Sequence, residues 1–146
     1  MKKIILYTFI FSILFMSCEK DDNYAVSCKI NGNDWISDGV TMAAIGNNGL
    51  LINATSNSKP TIALLIDKEL YDSVGVYSLD STNNSFLYGT NFTDGFFVKS
   101  NKPGVIEVTS FDGTDKKITG KFNLTAFNNN GDSIVVSEGL FDLYFQ

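Results

Sequence analysis

The chain has 146 residues and carries 11 Lys against 16 Asp and Glu, a net charge of −5 with no Arg and no His. Without histidine, Ser-His-Asp catalysis and the usual zinc sites are excluded. An acidic body with no basic face also excludes a nucleic-acid partner.

At the N-terminus, Lys2 and Lys3 precede an apolar run from Ile4 to Met16, then Ser17 and Cys18. A cationic start, a short apolar segment and a small residue at the cut make a secretory signal, and the run falls short of the about 20 residues that span a bilayer. With cysteine directly after the cut it reads as a bacterial lipoprotein signal over residues 1–17, cleaved so that Cys18 is acylated. The variation from the usual pattern is Phe15 three places before the cysteine, with Leu14 one earlier. The competing reading is an ordinary secreted protein with an unmodified Cys18. Multiple acyl chains, at about 0.8 kcal/mol per buried methylene, hold a protein on a membrane where one chain would not.

Residues 18–24 form an acidic tether, in which Lys20, Asp21 and Asp22 resemble the surface-export signal of Bacteroidota lipoproteins. The expected location is therefore the outer membrane, lipid-anchored and facing outward. Cleavage leaves 9 Lys and 16 acids, a charge of −7. The remaining residues, 25–146, suit one domain that buries about two-thirds of its unfolded surface.

From Val26 onward short alternating or β-branched runs are separated by Gly and Asn, and no sustained 3.6-residue period occurs. Val26 to Ile30 is a strand, Asn31-Gly32 a tight turn, and Asp34 to Ile36 a short return strand. Cys28 alternates inward with Val26 and Ile30 and is expected to be a buried core thiol without catalytic partners. Thr41 to Ile45, Leu50 to Ser56 and Thr61 to Ile66 follow, with Asn47-Asn48-Gly49 turning the first pair. Gly75 to Leu79, Ser85 to Tyr88 and Phe96 to Ser100 come next, and Asn101-Lys102-Pro103-Gly104 is expected to turn. Val105 to Asp112 and Lys116 to Asn128 flank Gly113-Thr114-Asp115. In the second of these, Ile118, Phe122, Leu124 and Ala126 face one way and Thr119, Lys121, Asn123 and Thr125 the other, as in a half-buried strand. Ser133 to Ser137 and a closing strand marked by Phe141, Leu143 and Phe145 end the chain.

About ten such strands predict an all-β, antiparallel sandwich or small barrel of meander topology. Trp35, Phe122, Phe141 and Phe145 are the expected large core residues, each contributing roughly 4 to 6 kcal/mol of apolar burial before entropy.

The segments Ser27-Cys28-Lys29-Ile30-Asn31-Gly32-Asn33-Asp34-Trp35, Val74 to Leu79, the long stretch from Gly104 through Asp112 to Phe122, and Glu138 to Leu143 together resemble an uncharacterised family of small Bacteroidota lipoproteins, classed as a domain of unknown function. The resemblance implies a β-rich secreted domain and carries no catalytic residue with it.

Carboxylate chemistry remains open to a glycosidase-type pair, which needs two acids about 5 to 10 Å apart. Asp67, Glu69, Asp94, Glu107 and Glu138 are the candidates. Asp112-Gly113-Thr114-Asp115 and Asn128 to Asp132 carry oxygen ligands that suit calcium, but the same residues are what tight turns require. The turn reading is preferred, and no metal or cofactor is expected. Tyr71, Tyr77, Phe86, Tyr88, Phe92, Phe96 and Phe97 crowd the middle of the chain as core and cross-strand pairs or, in part, as a surface that stacks on a ligand. Asp72-Ser73-Val74, Asp80-Ser81-Thr82 and Asp132-Ser133-Ile134 resemble O-glycosylation acceptors. The function expected is a non-enzymatic envelope module that binds a glycan or an envelope protein. A structural part of an outer-membrane assembly and a carboxylate-based enzyme acting on polysaccharide are the alternatives.

Overall fold

The computed structural model describes residues 25–89 and 93–146, and its strands form one antiparallel sheet curled into a half-barrel. The strands are β1 (Val26–Ile30), β2 (Asn33–Ile36), β3 (Thr41–Gly46), β4 (Gly49–Ala54), β5 (Thr61–Asp67), β6 (Gly75–Leu79), β7 (Ser85–Gly89), β8 (Phe96–Phe97), β9 (Gly104–Asp112), β10 (Lys117–Phe127) and β11 (Ser133–Tyr144). Their order is β2-β1-β11-β10-β8-β7-β5-β4-β3. A side wing, β6 on β9, joins β10 along its first half, so β10 pairs with β9 at one end and with β8 at Phe127.

Turn chemistry sets the register. Asn31 and Gly32 both have positive φ, 50° and 81°, as a tight hairpin turn requires, because this geometry matches the twist of the strands it joins. Cys28 therefore lies opposite Trp35. At the far edge of the sheet, Ile45 N–H donates to Gln146 O (3.1 Å) and Gln146 N–H to Ala43 O (3.0 Å). These bonds draw β3 back to the chain that continues from β11 and cover part of an otherwise open edge.

Alternating residues fill one interior. Leu50, Ile52, Ile62, Leu64 and Ile66 on β4 and β5 face Ile106, Val108, Ile118 and Phe122 on β9 and β10, and all are fully buried. Phe86 and Phe122 meet across the interior with ring centroids 6.2 Å apart. The four aromatics expected inside, Trp35, Phe122, Phe141 and Phe145, are all buried. The Trp35 indole N–H donates to Pro60 O at 2.9 Å, so burial leaves no orphaned donor.

Two features differ from the sequence expectation. Ser133 to Ser137 and the closing strand are one strand, β11, because a bulge joins them: Ser137 and Glu138 together oppose Asn123. Glu138 has φ 52°, and its N–H is held by the Asn123 side-chain oxygen at 2.9 Å. The inward parity switches there from Ile134 and Val136 to Gly139, Phe141 and Leu143, and a phase change of this kind in sequence reads as a break between strands. The second correction concerns β8, which ends at Phe97. The turn falls at Ser100-Asn101, where Lys102 N–H donates to Lys99 O at 2.9 Å, and Gly104 is already in β9. Proline has no N–H to give the ladder, so Pro103 stands just before the strand.

Candidate functional site

Cys28 is 5% exposed, and burial pushes its thiol up to about 12. A thiolate is the nucleophile, and this environment disfavours it. The expected core role therefore holds.

The sequence-predicted carboxylates occupy four places on the fold, with Asp67 and Glu69 together at the end of β5. Asp67 ends β5 and accepts the Glu69 N–H at 2.9 Å. Glu107 faces outward on β9 between Val76 and Lys121, and Glu138 on the bulge pairs with Lys29 at 2.8 Å. Asp94 lies in the exposed segment before β8. Among the described residues no three Asp, Glu or Cys side chains converge.

The two Asp and Asn clusters serve turns. Asp112 accepts the N–H groups of Thr114 and Asp115 at 2.8 and 2.9 Å. Asn128 accepts those of Asn130 and Asp132 at 3.0 and 2.8 Å while its amide donates to the Asp132 carboxylate at 2.9 Å. These are side chains closing their own loops. Of the O-glycosylation-like serines, Ser73 and Ser133 are exposed, and Ser81 lies 3.3 Å from Ser100 through their hydroxyls. Cys18, Lys20, Asp21, Asp22 and Phe92 lie outside the described residues.

Most of the middle aromatics pack inward. Phe86 is buried, and Tyr71, Tyr77, Tyr88 and Phe96 lie against the core. Phe97 is different, since it pairs with Leu87, an outward position between buried Phe86 and core-packed Tyr88.

Two outer depressions stand out. The larger, about 390 Å³, lies over β1, β2 and the β11 bulge, lined by Ser27, Lys29, Asp34, Ile36, Glu138 and Leu140 around Cys28 and Trp35. Its principal charges neutralise each other in the Lys29–Glu138 pair. The second, about 310 Å³, crosses β4, β5, β7 and β8, the lower end of the roughly 300–1,000 Å³ usual for ligand pockets. Its floor is Leu51, Ala63, Leu65, Leu87 and Phe97, with Ser81 and Ser85 at the side. This floor follows from strand pairing: Leu51 opposes Leu65, Ala63 opposes Leu87, and Leu87 opposes Phe97. An outward row of apolar residues on a sheet whose other face forms the core marks a binding surface more often than a scattered exposed Leu does.

Just beyond Phe97 the row continues to Phe127, its cross-strand partner on β10. The ammonium groups of Lys99 and Lys102 both lie over the Phe127 ring, 5.0 and 4.9 Å from its centroid. Sequence inspection missed this cluster because Lys99, Lys102 and Phe127 are brought together by a one-bridge hairpin and a single β8–β10 pairing, contacts that no local periodicity reports.

Comparison with curated proteins and with solved structures returned no match. The family described as Domain of unknown function (DUF6252) matches residues 22–142, most of the chain, and the protein belongs to that family.

Proposed function

We propose that this protein is a lipid-anchored, surface-exposed β-domain of the bacterial cell envelope that binds a glycan or an envelope protein without catalysing a reaction. The observation that carries the binding role is the apolar groove of Leu51, Leu65, Leu87 and Phe97 on the outer face of a sheet whose inner face already forms a complete core. The anchor rests on Lys2, Lys3, the apolar run and Cys18. Engagement of Asp67, Asp112 and Glu138 in turns and an ion pair supports a role other than carboxylate catalysis.

The test uses the full chain in its bacterial host. Native protein is expected to incorporate labelled palmitate, to stay with the membrane through a carbonate wash and to be cut by protease added to whole cells, while Cys18→Ala is expected to lose label and membrane retention together. Retention of Cys18→Ala after the wash would overturn the anchor. The binding role is tested separately by glycan-array and pull-down screens with the native lipidated protein, and an absence of any retained partner would overturn it.

A second reading, a structural part of an outer-membrane assembly, is favoured by β6. Among the described residues this strand pairs only with β9, and beside its open edge Val74 and Val76 are 67% and 66% exposed. An open strand with apolar side chains is a template for a partner strand.

A further inference from the structure

From the Lys99, Lys102 and Phe127 cluster at the end of the apolar groove, we infer that this outer face is a subsite for an acidic polysaccharide, one built of hexuronate residues. The inference rests on the binding role proposed above and names its ligand class.

Three observations converge. First, two ammonium groups share one ring in a protein with an excess of acids, and among the described residues neither has a carboxylate partner. Two acids of the flanking turns accept hydrogen bonds from within their own loops. Asp80 accepts the N–H groups of Thr82 and Asn83, and Asp132 takes the Asn128 amide. Cation–π attraction offsets part of the mutual repulsion of two lysines, and an anion bound between them would relieve the rest.

Second, the cationic hairpin is physically joined to the groove. Ser100, in the turn between the two lysines, donates to Asp80 O at 2.9 Å and lies 3.3 Å from the Ser81 hydroxyl, and Ser81 lines the groove. A pyranose ring has an apolar C–H face and a hydroxyl edge, and a hexuronate adds one carboxylate per residue. The floor of Leu65, Leu87 and Phe97, the hydroxyls of Ser81 and Ser85, and the two ammonium groups present one complement to each. An acidic peptide would use the lysines but would leave the hydroxyl-edged apolar floor without a matching shape.

Third, the site lies away from the point where the tether meets the sheet. Ala25 O accepts the N–H of Asp142, which is level with Thr119 on β10. Phe127 is eight residues further along that strand, roughly 26 Å at about 3.3 Å per residue. The lysines therefore sit at the end of β10 remote from Ala25, where the described chain begins.

The experiment is affinity electrophoresis of the native, detergent-solubilised protein through gels containing polygalacturonate, dextran or no polymer. Retardation by polygalacturonate alone is expected, weakening with added salt as screened charges do. The Lys99→Gln/Lys102→Gln double variant should bind about tenfold more weakly, and Leu87→Ser should also weaken binding. Lys99 and Lys102 are exposed and Leu87 is half-buried on the outer face, and an unchanged melting temperature confirms that each variant is folded. Free oligogalacturonate should raise the melting temperature of the native protein more than that of the double variant at the same concentration. No retardation by polygalacturonate, equal retardation of the double variant, or equal competition by polyglutamate or by anionic lipid vesicles would overturn the inference. Capture of a neutral glycan or an envelope protein in the wider screen, with no hexuronate binding, would do the same while leaving the binding role in place.

Discussion

Gly120 stands opposite Phe141 across the β10–β11 ladder, and the phenyl ring occupies the space a side chain on Gly120 would need: a Cβ there would lie 2.6 Å from Phe141 Cε1 and would overlap the backbone oxygen of Glu107. The arrangement is repeated two residues on with the roles exchanged, since Phe122 faces Gly139 and its ring lies 2.6 Å from where a Gly139 Cβ would stand. Two aromatic rings thus fill the space beside two glycines of paired central strands and protect backbone that glycine leaves bare.

Gly120→Ala is therefore expected to destabilise the fold. One obstruction is backbone rather than a flexible side chain, so the strand itself must move. Overpacking of this kind costs about 1–3 kcal/mol or more, and urea unfolding followed by tryptophan fluorescence should show a lowered midpoint. A midpoint equal to the native one would contradict the packing described.

Phe122→Ala removes a fully buried ring that contacts Phe86 and covers Gly139. The expected loss is about 3–5 kcal/mol, combining the transfer of the ring with the cavity left behind. Thermal unfolding should show a midpoint lower by many degrees, and no shift would mean that β10 faces the other way.

Asn84 is 2% exposed and ties three strands: its side-chain oxygen accepts the Asp67 N–H at 2.8 Å and its amide donates to Ser78 O at 2.9 Å. Asn84→Ala would leave a backbone donor and acceptor unpaired, at about 1–3 kcal/mol for each group that stays buried. Hydrogen exchange should quicken at Asp67 before it quickens in β10 or β11. Uniform protection in both proteins would show that the tie is dispensable.

Cys28 makes the stability dependent on alkaline pH. Burial raises the folded thiol from 9.0 to about 12, so between those values the unfolded state releases a proton that the folded state keeps. The contribution is complete below pH 9 and is lost as pH rises toward 12. Stability of the native protein should fall over that window more steeply than that of Cys28→Ala, and the thiol should react with iodoacetamide at pH 8 only after denaturant is added. Rapid labelling of the folded protein would contradict the burial.

Much of this architecture was legible in the chain because each strand is short, alternates, and ends at residues with a turn preference of their own. Asn31-Gly32 and the parity of Ile118, Phe122, Leu124 and Ala126 are local facts, decided by residues next to one another. Where local order failed, a long-range contact had intervened. The bulge at Ser137-Glu138 is held by Asn123 on another strand, and Thr109 is an extra residue in β9 that turns Phe111 inward beside Ile118, where it stacks on Phe145 with centroids 5.4 Å apart.

The same division runs through the candidate site. Sequence alone determined the all-β class, the expectation of a signal that ends at Ser17 with Cys18 acylated, and the lack of a histidine for catalysis, because composition and adjacency are properties of the chain. Tertiary structure decided that the sheet curls into a half-barrel, that Asp67 and Asp112 close turns while Glu138 pairs with Lys29, and that Leu51, Leu65, Leu87 and Phe97 form one groove that leads toward Lys99 and Lys102. Those residues come from strands far apart in sequence, and only cross-strand pairing, in which residues directly opposite point to the same face, brings them together.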